Sequence, residues 1–170
     1  MSGRVQSKEK ELAPPIFLFG EYELRLPLGF DPTNREQFFR VCQANQPLGL
    51  ERTPEGRLSV TMPTGGRAGN RNSELNYQLM AWNRQRRSGY VFDSNTGFEL
   101  PNGAMRAPDV AWVSKPRMDT VPEVQREKFL PLIYRPGAAM VELDNPTTLD
   151  CSSELPGFLL ELEPIFNPQI

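Results

Sequence analysis

Asp109 stands directly ahead of the apolar run Val110-Ala111-Trp112-Val113, as the second member of a Pro108-Asp109 pair. A carboxylate held at the mouth of a buried strand offers oxygen to a hard cation. Pro108 fixes its own φ and pushes Ala107 toward an extended conformation, which supports a strand entry. Glu74, in SELNYQLMAWNRQ, stands one helical turn ahead of Gln78 on the preceding helix. Each also has a plainer reading. Asp109 can be a strand-entry residue that only accepts a backbone hydrogen bond, and Glu74 an acid that only serves the first turn of its helix.

Other chemistries are closed by what the chain lacks. None of the 170 residues is histidine, which removes Ser-His and Cys-His nucleophile pairs, histidine zinc sites and histidine-metal nuclease motifs together. Cys42 and Cys151 lie far apart and belong to no CxxC cluster, so they read as two free thiols. The lysines are Lys8, Lys10, Lys115 and Lys128, and none stands two places after an acid, so the sequence holds no (D/E)xK. A formal net charge of -2 makes no case for a protein coated in nucleic acid, while leaving room for a local basic face. No apolar run approaches the length of a membrane span, and MSGRVQSKEKELAPP has neither an apolar signal core nor a cleavage site. The expectation is a reducing, cytoplasmic setting with no membrane partner.

The elements that must position Asp109 and Glu74 follow from periodicity and turn chemistry. Residues 1–15 read as a flexible tail, and 16–170 as one domain. Ile16 to Phe19, with Tyr22, Leu24 and Leu26 behind, reads as a short strand. DPTNREQFFRVCQANQP begins with cap-type residues and sets Phe38, Phe39, Val41 and Cys42 on one side of a helix stopped by Pro47. Leu48 and Leu50, a Thr53-Pro54-Glu55-Gly56 turn, then Leu58, Val60 and Met62 alternating with polar residues make a hairpin with one wet face. The glycine-rich Pro63 to Gly69 lacks the ending of a phosphate-binding P-loop and reads as a connection into a helix starting at Asn70 to Ser73.

That central helix places Leu75, Leu79 and Trp82 at core spacing, ends in Arg84, Arg86 and Arg87, and takes Gly89 as its stop. The arginines suit the carbonyl end of the helix dipole, or the backbone of a nucleic acid. A meander of three strands follows, Tyr90 to Phe92, Phe98 to Leu100 and Val110 to Val113. A helical turn is expected within Met118 to Lys128, then short strands at Leu132 to Tyr134, Met140 to Leu143 and Phe158 to Leu162.

A helix, three strands and a Pro-Asp at the third open the restriction-endonuclease-like core. LGLERTPEGRLSVTMPTGG, GNRNSELNYQLMAWNRQ, GYVFDSNTGFELPNGAMRAPDVAWV and IYRPGAAMVELDNPTTLDCSSELPGFLLELEPIF resemble, in order, the Uma-two family within the PD-(D/E)XK superfamily. The resemblance implies an α+β (α/β) fold, a restriction-endonuclease-like core with a mixed β-sheet and flanking helices. It also implies magnesium-dependent phosphodiester hydrolysis of DNA, and leaves a homodimer open. By position Asp109 matches the metal ligand and Glu74 the acidic position on the helix. The remaining parts do not carry over. REKFLPL runs straight into IYRPG, so the chain lacks the block that would hold the catalytic Glu strand and the lysine helix, with a join near Leu130 to Ile133. Glu142, in MVELDNP, resembles the lost strand but precedes the family's terminal hairpin, and is read as a peripheral strand residue. The expectation is weak or absent hydrolysis; the rivals are a non-catalytic remnant serving as a binding or oligomerisation module, and an unstable fragment with an unpaired sheet edge.

Overall fold

The computed structural model describes residues 16–19, 22–128, 130–131 and 146–167. The 1–15 tail, the strand candidates at 132–134 and 140–143, and Glu142 lie outside them. The first apolar stretch folds as two strands, β1 (Ile16–Phe19) and β2 (Tyr22–Arg25), paired antiparallel. Helix α1 (Arg35–Ala44) starts where Asn34 Oδ1 accepts the Gln37 N–H at 3.0 Å, a cap worth about 1 kcal/mol. Its Phe38 and Val41 are buried. The hairpin follows as β3 (Gly49–Arg52) and β4 (Leu58–Thr61), with Leu50 opposite Val60 and the polar residues of β4 exposed.

Helix α2 (Gly66–Arg86) differs from expectation at both ends. It begins inside the glycine-rich segment, where the Gly69 N–H donates to Gly65 O at 3.0 Å. Glu74 therefore lies beyond the first turn, and its role as a helix-start acid falls away. At the other end Arg87, at φ 54°, turns the chain, donating its N–H to Asn83 O. Gly89 is instead a buried strand residue whose missing side chain lets Val113 O and the Trp112 indole lie against it.

The expected meander is also rearranged. Strand β5 (Gly89–Asp93) passes over β6 (Phe98–Glu99) and β7 (Met105–Arg106) to pair antiparallel with β8 (Val110–Ser114). The Pro101-Asn102-Gly103 turn, with Gly103 at φ 82°, folds β6 and β7 into a hairpin. Met105 then pairs with Arg52 and is itself buried, drawing the hairpin into another sheet. Helices α3 (Lys115–Asp119) and α4 (Glu123–Arg126) occupy the region expected to hold a helical turn. Strand β9 (Leu130–Pro131) then pairs parallel with β6. The chain closes with the antiparallel pair β10 (Thr148–Asp150) and β11 (Leu159–Glu161), then α5 (Glu163–Phe166).

The architecture is mixed α+β; the described residues form a five-stranded sheet ordered β4-β3-β7-β6-β9 and three two-stranded ribbons, β1-β2, β5-β8 and β10-β11. Three apolar clusters hold it. One packs α1 on β2, β3 and β7; a second joins Phe98, Val113, Met118, Val121 and Leu130. The third sets α2 against β5, β8 and β11 through Leu79, Phe158, Leu160 and Leu162, with Leu75 and Trp82 beside them. Trp82 meets Trp112 edge-on at 5.6 Å between ring centroids. This third cluster fixes the helix and the strand that carry the two acidic candidates.

Candidate functional site at the mouth of β8

The wall carrying Asp109 is clamped from two directions. From β3, Glu51 accepts the Ala107 N–H at 2.8 Å and the Arg106 guanidinium at 2.9 Å, holding the segment directly ahead of Pro108-Asp109. From α2, Asn83 donates to Gly89 O at 2.9 Å and accepts from Gly89 N–H at 3.2 Å and Trp112 Nε1–H at 3.0 Å. One buried amide thus ties the helix to both β5 and β8. Neither Glu51 nor Asn83 signals this in the sequence, because their partners lie on elements brought near only by the fold.

Between α2 and the ends of β5 and β8 lies a cleft of about 800 Å³. Asn72, Asn76, Tyr77, Met80 and Arg84 line its helix side, and Asp93, Ser94 and Asp109 its strand side. Asp109 is exposed, and β8 is half-buried apart from Val113, so the strand is less enclosed than its apolar sequence suggests. Asp109 Oδ1 accepts from Asn72 Nδ2 at 2.9 Å, a side-chain partner in place of the backbone donor expected of a strand-entry residue.

Glu74 does not join it. Its Oε1 accepts from Gln78 Nε2 at 3.0 Å, and Gln78 in turn exchanges hydrogen bonds with the backbone of Glu161 on β11. Glu74 thus belongs to the seam between α2 and β11, while Asp109 faces the cleft beside Asn72. The acid that shares the cleft with Asp109 is Asp93, whose residue pairs with Val110 across the β5-β8 ladder. Sequence reading passed over Asp93 because Asp-Ser-Asn-Thr-Gly is turn chemistry, and the residue does cap that turn, accepting the Asn95 N–H at 3.1 Å. The signal that could have found it is antiparallel register: pairing Gly89 with Ser114 brings Asp93 to Val110.

A catalytic magnesium ion does not fit the residues gathered here. Among the described residues no three of His, Cys, Asp and Glu come close enough together to hold a metal ion. No lysine lines the cleft. Lys115 follows the opposite end of β8, roughly 20 Å from Asp109 at about 3.3 Å per strand residue. Lys128 is bonded to Glu36 on α1. The thiols offer no substitute nucleophile near the cleft: burial pushes Cys42 up to about 12 and also raises Cys151, in the latter case with the Asp150 charge adding to it.

The mixed α+β fold, with an aspartate at the mouth of a strand packed on a long helix, is consistent with the restriction-endonuclease-like class. Within that class the chain matches Uma2, described as "Putative restriction endonuclease", over residues 35–158. That match spans most of the sequence, and the chain belongs to this family. No curated protein matches it. The family gives a nuclease-like function at its own level. No helix among the described residues is long and apolar enough to cross a membrane.

Proposed function

We propose that this chain is a DNA-engaging member of its family, cytoplasmic and folded as one domain over residues 16–170, in which magnesium-dependent phosphodiester hydrolysis is weak or absent. The observation that carries this reading is the composition of the cleft. Asp109 is partnered by Asn72 and, among the described residues, accompanied by one further acid, Asp93, with Glu74 turned to β11. Two carboxylates at an exposed site hold a hydrated magnesium ion weakly, and among the described residues no lysine stands in the cleft to orient an attacking water.

The use that remains for such a cleft is binding, and its helix wall favours that over oligomerisation. The side chains of Asn76, Tyr77 and Arg84 line the opening with no hydrogen bond or ion pair among the described residues. Homodimer formation remains the other partner implied by the family and is read directly by sedimentation.

The test is magnesium-dependent cleavage of supercoiled plasmid by the purified chain and by Asp109→Ala. Little or no nicking is expected, with no difference between the two proteins. Robust nicking that disappears in Asp109→Ala would overturn the reading.

A further inference from the structure

The cleft joins an exposed aromatic ring to an uncommitted cation on one helix face. Tyr77 is 68% exposed although it lines a concave surface, and it belongs to none of the three apolar clusters. Arg84 lies two turns further along α2, on the same stripe and about 10 Å away at 1.5 Å per residue. Arg86, by contrast, has its guanidinium against Gly157, and Arg87 shapes the helix end. Arg84 is thus the arginine of the three that faces the cleft. Met80 and Ala81 floor the space between Tyr77 and Arg84, and Asn76 adds an amide with both donor and acceptor capacity.

A large exposed ring that packs into none of the three clusters is open to a ligand, and ring and cation together suit one that presents a flat face and a negative charge. We propose that the α2 face of this cleft binds single-stranded DNA, with Tyr77 stacking an unpaired base and Arg84 contacting the phosphate beside it. Stacking tolerates any base, and a base within a duplex has no free face to offer. Charge orders the strand in the cleft: Asp93 and Asp109 repel phosphate from the β5-β8 wall, which leaves the Arg84 side for the backbone. This deepens the DNA-engaging reading given above and rests on it.

The experiment is equilibrium binding of the full chain, by fluorescence anisotropy at low salt, to a labelled oligothymidylate and to a duplex of the same length. A parallel titration uses a single strand carrying 2-aminopurine, whose emission falls on stacking. The single strand is expected to bind at least about tenfold tighter than the duplex, and Tyr77→Ala to weaken it by about 5- to 150-fold, the value of one base stacked on an aromatic ring. Tyr77→Ala should also remove the 2-aminopurine quenching, and Tyr77→Phe should preserve it. Arg84→Gln should make the salt dependence of single-strand binding shallower by about 0.7 in log–log slope, one phosphate contact. Duplex bound as tightly as single strand, or Tyr77→Ala without effect, overturns the stacking proposal while leaving DNA engagement standing. Binding to neither DNA overturns the DNA-engaging reading, and this proposal with it. Tyr77 is exposed, so an unchanged thermal melt of Tyr77→Ala separates lost binding from lost folding.

Discussion

Arg52 and Arg84 show two opposite uses of the same side chain. Arg52, on β3, is 4% exposed, and its guanidinium is fully engaged: Nε and Nη2 donate to Gly103 O at 3.0 and 2.6 Å, and Nη1 donates to Pro32 O. Glu99 stands 4.0 Å away as a counter-charge, and the guanidinium lies over the Phe38 ring. One cation thus joins β3, the β6-β7 turn and the segment entering α1. Arg84, near the end of helix α2, opens onto the cleft, and its side chain has no partner among the described residues. The lesson is in the partners: Arg52 is consumed in holding the fold, whereas the side chains of Asn76, Tyr77 and Arg84 on the α2 side of the cleft make no hydrogen bond or ion pair among the described residues and are open to a ligand.

This contrast breaks most easily at Arg52. Arg52→Met should cost about 2 kcal/mol in urea unfolding, because the carbonyls of Gly103 and Pro32 lose their donors in a half-buried setting. A loss under about 1 kcal/mol would mean water reaches those carbonyls, and the contrast would fail. Asn83→Ala should match it at about 2 kcal/mol, since it leaves Gly89 N–H, Gly89 O and Trp112 Nε1 without their partner. Proton exchange at the Gly89 amide should accelerate with it. The smallest effect belongs to the cleft: Arg84→Met should leave unfolding free energy within about 0.5 kcal/mol of the parent. A larger loss would show that Arg84 holds structure and is not free for a ligand.

What the sequence made legible was local or periodic. The α1 cap at Asn34, the Leu50-Val60 hairpin and the Leu75-Leu79-Trp82 face of α2 all appear where spacing and turn residues place them. Asp109 was legible because a proline and an apolar strand frame it. The misses depend on long-range pairing. Met105 draws β7 to Arg52, which removes β6 from the expected meander and lets β5 meet β8. Only that meeting brings Asp93 to the cleft, and only the longer course of α2 supplies Asn72 as the partner of Asp109 while Glu74 turns to Gln78. Arg87 ends the helix in a left-handed conformation that a bulky residue adopts at some cost, because Gly89 is already required at the close approach of β8. Propensity alone points to the wrong residue there.

The central proposal is that the strand-mouth aspartate stands in a cleft whose described residues do not complete a catalytic metal site. Calorimetric titration of the folded chain with magnesium, alongside Asp109→Ala, tests this most directly. The account predicts no saturable heat at physiological magnesium for either protein. A one-to-one site that saturates in the parent and vanishes in Asp109→Ala would contradict it.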